Sequence, residues 1–461
     1  MAWRAPNILL LLPDQHRFDW SGATPGLAVR TPHLDALGRR GTRFTHALCP
    51  SPLCAPSRAC LASGREYDRC GVPGNRTDYP LAQTTYYRLL RDAGGYHTAG
   101  VGKFDLHKAS PIWGLDGRTR LCEWGFTDGI DNAGKRDAVA SGAEAPRDPY
   151  MAFLHARGLA AAHVADFRAR RGDHGTHPTP LPDNAYCDNW IAENGLALLR
   201  RFPRGRPWHL VVNFAGPHEP MDITRTMAAW YADADLPPPH VTPAEGESLR
   251  ARGLDAAELV QIRRNYSAMV ENIDRWAGAF LQAVRDRGDE GETVVVWSSD
   301  HGEMLGDRGL WGKSQPWQPS VGIPLVVAGP GVAEGAVCTA PVSLMDLAAT
   351  FLEYAGVPRP ADMDSLSLRP LLEDRTAALR PFVRSGLGPW RLVFDGRYKL
   401  VAGYALAGAR PLAGGGGAAE VPPLLFDLQA DPWEERDLAS ERPDVVERLA
   451  EGLRRADAGE G

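Results

Sequence analysis

The sequence holds no run of about 18 apolar residues, the length a membrane-crossing helix needs. It has no block of lysines and arginines either. The 51 basic and 57 acidic residues leave a net charge of -6, which argues against a nucleic-acid partner. Cysteine is sparse: seven in 461 residues, at 49, 54, 60, 70, 122, 187 and 338, with no metal-type or disulfide-framework spacing. An odd count of that kind fits a reducing compartment, so the expected location is cytoplasmic. The start, Met1-Ala2-Trp3-Arg4, leads through a short apolar run to Asp14 and does not read as a secretory signal. No internal repeat is evident. With 44% hydrophobic and 23% charged residues, the composition is that of a soluble globular chain, long enough for two or more domains or for one large α/β domain with an appendage.

Short apolar runs at 7–12, 96–100, 209–214, 293–298 and 324–328 read as buried strands of a parallel sheet. Helical patterns at 31–40, 82–93, 184–201 and 254–287 lie between them. The alternation predicts a doubly wound, mostly parallel α/β sheet, whose ligand crevice lies at the carboxyl ends of the strands. Residues 130–183, rich in Ala, Arg, Asp and His with weak periodicity, read as an insertion over that crevice. After about residue 375 the pattern turns antiparallel. Runs at 390–394 and 397–401 flank Asp395-Gly396, a hairpin signal; 414–417 is a glycine loop tip, 424–428 a further strand, and 443–455 a helix opening with Pro443. The expected division is therefore 1–375 for the main α/β domain and 376–461 for a small sheet-plus-helix subdomain.

The run Leu53-Cys54-Ala55-Pro56-Ser57-Arg58 carries the most chemistry. Pro56 suits a first helical turn, and Cys54 and Arg58 then share one face, a turn apart. A helix N-terminus also offers N–H groups and partial positive charge to an anion. The segment suggests a nucleophile aimed at a sulfate- or phosphate-like group; a buried structural cysteine explains it equally well. Asp14-Gln15 and Asp300-His301 each directly follow a predicted strand. Two carboxylates, an amide oxygen and an imidazole suit one divalent cation, although each pair alone could be a cap or turn. Lys103 follows a third strand, and if the chain stays extended, Lys103, Asp105 and His107 project from one side. His218 lies just past a fourth strand, between Pro217 and Pro220. Lys313 on its own is an ordinary loop lysine, and Asn75 is a turn residue as readily as a ligand. Trp113, Trp311 and Trp317 either line a ring-binding pocket or pack in the core. Asp173, His174 and His177 read as solvated loop residues.

Together, Cys54-Ala55-Pro56-Ser57-Arg58, the segment Pro6-Asn7-Ile8 through Asp14-Gln15, and Ser298-Ser299-Asp300-His301-Gly302-Glu303 resemble the type I, formylglycine-dependent sulfatases of the alkaline phosphatase superfamily. So do Pro217-His218, Trp311-Gly312-Lys313, Thr31-Pro32-His33-Leu34-Asp35, Met269-Val270-Glu271-Asn272 and Asp395-Gly396-Arg397-Tyr398-Lys399-Leu400, so the resemblance spans nearly the whole chain. It implies an alkaline-phosphatase-like fold and a sulfate monoester substrate, a sugar or aryl sulfate. It implies that a maturation enzyme oxidises Cys54 to formylglycine, whose hydrate is the nucleophile. It further implies one divalent cation on Asp14, Gln15, Asp300, His301 and the modified Cys54. Ca2+ is the first expectation, with Mn2+ or Mg2+ as alternatives, because an imidazole stands at 301 where many members carry Asn. Arg58, Lys103 and Lys313 would neutralise the transferring group, and His218 would protonate the leaving oxygen. Asn75, Lys103, His218 and Lys313 would contact substrate. The family's Gly-Lys-x-His reads here Gly102-Lys103-Phe104-Asp105, which leaves Asp105 or His107 to take over the proton transfer. Related formylglycine enzymes with Asp-His at 300–301 include phosphonate monoester hydrolases, so phosphonate monoester or phosphodiester hydrolysis is the alternative reading. A non-catalytic anion binder is a third, and an oligomer is compatible with all of them.

Overall fold

The segment Asn7-Ile-Leu-Leu-Leu-Leu-Pro-Asp14 is apolar on both of its faces, and only the centre of a sheet covered on both sides accepts such a run. In the computed structural model, which describes residues 5–170, 174–374, 377–404 and 421–457, it is the fully buried strand β1 (Asn7–Asp14). The strands that follow are β2 (Gly41–Phe44), β3 (Ala47–Leu48), β4 (His97–Gly102), β5 (Asp128–Asp131), β6 (Trp208–Pro217), β7 (Thr293–Trp297), β8 (Leu325–Ala328), β9 (Ala336–Cys338) and β10 (Val342–Ser343). Eight of them form one sheet in the order β5-β4-β6-β1-β7-β8-β2-β9, while β3 and β10 pair separately. Alternate residues of β1 feed opposite cores. Ile8, Leu10 and Leu12 meet the helices Cys54–Ser63, Tyr86–Asp92 and Asp346–Tyr354, and Leu9 and Leu11 meet Cys187–Arg201 and Ala256–Asp286. The result is a three-layer α/β/α sandwich, as the strand–helix alternation predicts.

Three details differ from expectation. The run at 324–328 is β8, and it lies antiparallel to both β7 and β2. Its connection from β7 carries only the one-turn helices Asp307–Gly309 and Gln318–Val321, too little for a crossover, so the chain comes back in the opposite direction. Secondly, β5 claims residues 130 and 131, so the sheet's edge runs into the segment expected to be insertion. The rest of that segment does form helices off the sheet: Lys135–Gly142, Pro149–Ala156 and Ala160–Ala169. Thirdly, β2 and β9 are too short to show a period in the sequence. The loop tip at 414–417, Asp173 and the domain boundary at 375–376 lie outside the described residues.

The C-terminal part is a four-stranded antiparallel sheet, β11 (Val383–Leu387), β12 (Trp390–Phe394), β13 (Tyr398–Ala402) and β14 (Leu424–Asp427), in sequential order. Val445 and Leu449 of the helix Pro443–Asp457 pack on Val393, Leu400 and Leu425. Trp390, Leu392 and Phe394 on the other face join the main core. None of the described helices is long and apolar enough to cross a membrane.

Two buried imidazoles sit at the centre of this architecture. His209 on β6 donates Nδ1–H to the Ile8 carbonyl (3.2 Å) and accepts at Nε2 from the Tyr86 hydroxyl (3.1 Å). His16 donates Nε2–H to Trp20 O (2.9 Å) and accepts at Nδ1 from the Trp297 indole (3.2 Å). Both tautomers are neutral, and burial pushes His16 down to about 4 and His209 down to about 3. Depressed histidines stabilise the fold above an unfolded-state value near 6.5; that stability is lost as pH falls, by about 1.4 kcal/mol per pH unit per histidine. Denaturant midpoints measured from pH 7 to 4.5 should therefore fall less steeply for His209→Gln than for the native chain. Parallel slopes would show that His209 does not contribute.

Candidate active site

The site forms where the carboxyl ends of β1, β4, β6 and β7 meet the start of the helix Cys54–Ser63, whose left-handed end is closed by Gly64. Asp14 ends β1, Lys103 follows β4, Asn213 lies near the end of β6, and Asp300-His301 follows β7. Cys54 is the first residue of the helix and Arg58 lies one turn on, as expected. The helix end is used differently from expectation. The Ala55 N–H donates to Asn75 Oδ1 (3.1 Å), so Asn75 caps the helix. Arg58 turns inward. It donates Nε–H to Asp300 Oδ2 (2.9 Å), one terminal nitrogen to Asp14 Oδ2 (3.0 Å), and the other to Lys103 O (2.5 Å) and Asn213 Oδ1 (3.0 Å). Its guanidinium thus clamps two carboxylates and two strands. Ser57 donates its hydroxyl to Asp300 O (2.6 Å), which explains the serine of the Cys54–Arg58 motif.

Cys54 Sγ lies 3.2 Å from His301 Nε2, 3.5 Å from Lys103 Nζ and 3.9 Å from Asp14 Oδ1. Burial and the Asp14 charge push the thiol up, but Lys103, Lys313 and His301 outweigh them and hold it well below its ordinary value. Burial likewise opposes charge on Asp14, yet Lys103, His218, Arg58 and His301 keep it a carboxylate. Lys103 Nζ lies 2.5 Å from Asp14 Oδ2, and the two strongly buried groups form one ion pair.

The donor atoms of Asp14, Cys54, Asp300 and His301 all lie within 4.8 Å of one another, and all four residues are buried. His301 donates Nδ1–H to Gly302 O (3.0 Å), which turns Nε2 toward both carboxylates. This donor set fits a hard or borderline divalent cation. Gln15, also expected among the ligands, has its amide in hydrogen bonds to neighbouring charged groups. Its backbone is left-handed (φ 71°), and its amide bonds Lys313, Glu303 and Glu219. Only its backbone N–H joins the cluster, donating to Asp300 Oδ1 (3.0 Å).

A second group lies beside the first. His218 donates Nδ1–H to Glu219 O (2.7 Å), and its Nε2 faces Lys313 Nζ at 2.6 Å. Glu303 accepts N–H bonds from Leu305 (2.8 Å) and Gly312 (2.7 Å) and so shapes the loop that presents Lys313. The C-terminal subdomain braces the same loop: Lys399 pairs with Glu434 and donates to Pro316 O (2.9 Å), while Trp317 packs edge-on against Tyr404 and Phe426. Asn213, Glu219 and Glu303 were not singled out from the sequence, although Glu219 and Glu303 sit inside the motifs that were.

Asp105 and His107 separate. The strand ends at Gly102, and Asp105 is left-handed (φ 54°), so 103–107 is not extended and the expected common side does not exist. Asp105 turns back to Lys103 (3.3 Å) and Lys108 (2.7 Å), whose charges outweigh burial and hold it ionised. His107 turns away. Its Nε2–H donates to Asp131 (2.7 Å), its Nδ1–H to Ser110 O (2.7 Å), and its ring stacks on Trp124. Of the tryptophans, Trp113 and Trp317 are core residues, and Trp311 lies against His174 with ring centres 4.6 Å apart. His174 is therefore packed rather than solvated, whereas His177 is exposed and bonds Asp166.

The mostly parallel sheet thus carries an acidic, imidazole-bearing cluster at its strand ends and an antiparallel sheet appended to it. The sulfatase family model matches residues 6–357, and the chain belongs to that family. It is a sulfatase, a hydrolase of sulfate esters. It is 28% identical to the choline-sulfatase of Rhizobium meliloti over 95% of this chain and 83% of that one. It is 25% identical to an arylsulfatase of Clostridium perfringens over 82% of this chain and 80% of the relative. Among solved structures, the phosphonate monoester hydrolase of Agrobacterium radiobacter superposes with a TM-score of 0.79 at 22% identity, covering 99% of this chain and 96% of that one. A protein solved with its substrate D-glucosamine-2-N,6-O-disulfate gives 0.75 at 19% identity, covering 99% and 98%.

Removing the His107 imidazole leaves Asp131 buried without its charge partner, which costs about 3–5 kcal/mol. His107→Ala should therefore lower the unfolding midpoint while the folded enzyme keeps a kcat within about threefold of native. Comparing thermal unfolding with the rate on an aryl sulfate checks this. A collapse of kcat in a stable variant would place His107 in the chemistry.

Proposed function

We propose that the enzyme cleaves a sulfate monoester, of a sugar or an aryl alcohol, with a formylglycine made from Cys54 by a maturation enzyme and with one divalent cation. The observation that carries this reading is the position of Cys54 Sγ, inside the donor cluster and against the Lys103 ammonium. Asp14, Asp300, His301 and the modified residue 54 would hold the cation. When bound, it supplies charge that polarises the sulfuryl oxygens and lowers the pKa of the attacking hydroxyl. Ca2+, Mn2+ and Mg2+ all accept two carboxylates, and the imidazole favours Mn2+ over the harder Ca2+ and Mg2+.

The formylglycine hydrate has two hydroxyls on one carbon. One, ionised with its proton released to solvent, would attack sulfur in line as the S–O bond to the alcohol breaks. His218 and Lys313, whose nitrogens lie 2.6 Å apart, hold between them the proton that the departing alkoxide takes. Lys103 and Lys313, both kept protonated by surrounding anions that outweigh burial, face the negative charge that accumulates on the sulfuryl oxygens. A base then takes the proton from the second hydroxyl, the carbon–oxygen bond to sulfate breaks, and the aldehyde returns. We assign that base to Asp105: it is ionised, buried and bonded to Lys103, whereas His107 has committed both nitrogens elsewhere. Asn75 supports the nucleophile's helix, and its substrate contact is limited to the amide nitrogen.

The second reading, hydrolysis of a phosphonate monoester or phosphodiester, draws on the Asp300-His301 pair and on the overlap with the phosphonate monoester hydrolase fold. Such esters resemble a sulfate monoester in shape and charge. Rates on an aryl sulfate and an aryl phosphonate, measured in parallel, decide between them.

Cys54→Ala should fold normally and lose turnover by at least a thousandfold. In the native enzyme, peptide mass spectrometry of the Cys54 segment should find an aldehyde in place of the thiol. An active Cys54→Ala, or full activity with unmodified thiol, would overturn the assignment. Exhaustive chelation should abolish turnover, and titrating back Ca2+, Mn2+ or Mg2+ separately should identify the ion that restores it. Asp105→Asn should cost about 10²–10⁴ in kcat; an unchanged kcat would remove Asp105 from the base role.

A further inference from the structure

Lys135 opens the helix Lys135–Gly142, within the segment that looked like a mere cover over the crevice. Its side chain is only 3% exposed. A buried ammonium costs several kcal/mol unless its donors are all met, and an apolar residue would fill the same space more cheaply. Here the donors are met by one loop. Nζ lies 2.7 Å from Asp222 Oδ1, 3.1 Å from His218 O and 3.4 Å from Pro220 O, with the Tyr186 hydroxyl at 3.3 Å. Among its acceptors is the main-chain carbonyl of His218 itself.

We infer that Lys135 is a positioning residue for His218, holding the backbone of residues 218–222 so that Nε2 points at the leaving group. This rests on the reading of His218 as the leaving-group acid. The same loop is fixed at its start by Asp188, which accepts from the Ala215 and Gly216 N–H groups (2.7 and 2.9 Å), and past His218 by Asn265, which donates to Met221 O (2.7 Å). Lys135 alone of these three grips His218. With that carbonyl held and Nδ1–H bonded to Glu219 O, the remaining ring nitrogen faces Lys313. The residues beside Lys135 bear on the site as well. Arg136 lies 3.7 Å from Glu219, and Asp137 lies 3.0 Å from Lys108, the partner of Asp105. A Cβ added to Gly134 would come within 2.8 Å of Lys103 Cε. One helix start thus braces the acid and the base from outside the sheet.

Steady-state kinetics of Lys135→Met, His218→Ala and the double variant, on 4-nitrophenyl sulfate and on the unactivated phenyl sulfate, test the assignment. A poor leaving group needs the acid and a good one does not, so His218→Ala should lose about 10²–10⁴ in kcat on the phenyl ester and far less on the nitrophenyl ester. Lys135→Met should lose about 10- to 100-fold on the phenyl ester, at most threefold on the nitrophenyl ester, and change KM little. In the His218→Ala background it should add nothing further. Equal losses on both esters for Lys135→Met, with His218→Ala discriminating, would overturn the positioning role alone. Equal losses for His218→Ala would instead overturn the reading of His218. If Lys135→Met does not fold, Asp222→Asn, which loosens the same ammonium without deleting it, is judged by the same comparison.

Discussion

The guanidinium of Arg58 is the interaction on which the rest of the site depends. Asp14 and Asp300 end neighbouring strands, are fully buried and would repel each other. Arg58 bonds both at about hydrogen-bond contact, 3.0 and 2.9 Å, and ties in the Lys103 carbonyl and Asn213 as well. One planar fork therefore joins four strand ends to the helix that carries Cys54. Its geometry suits a pair of carboxylates better than a lysine's point charge would. The chain read from sequence gave Arg58 to the transferring group. Its nitrogens face inward to the carboxylates, so in the proposed mechanism that duty falls to Lys103 and Lys313, and Arg58 frames the cluster.

The site is also held from outside the sheet. The loop bearing Lys313 is shaped by Glu303 and braced by Lys399 and Glu434 of the C-terminal part, and the loop bearing His218 is gripped by Lys135. These supports are buried ions, each expensive to desolvate. An apolar contact of the same size would fill the space but would leave the loops' carbonyls unpaired. Stability and positioning are here the same set of bonds.

Most of the fold was legible because its central strands are apolar on both faces and its helices are long. The strand-end residues Asp14, Lys103, His218 and Asp300 were legible for the same reason: once a buried strand is placed, the residue after it is placed too. What stayed hidden was hidden physically. Asp105 and Gln15 sit at φ 54° and 71°, a conformation that non-glycine residues seldom adopt, and at Asp105 it breaks the alternation expected of 103, 105 and 107. β8 runs backwards because of what its connection lacks, a property no strand pattern reports. Lys135 lies in a stretch with no clear period, where nothing marks a buried lysine apart from an exposed one.

The strand order has a consequence for how the protein is made. β1 lies between β6 and β7, whose partners for it begin at residue 209 and residue 293. As the chain leaves the ribosome, Cys54 emerges long before either neighbour exists, and the pocket that later leaves it 1% exposed cannot yet close. Any enzyme that must reach its thiol has the interval of synthesis between these segments in which to act. Once β7 docks, Arg58 locks onto Asp300 and the door is shut. For the modification of Cys54 proposed above, the same non-local pairing that builds the cluster sets a deadline.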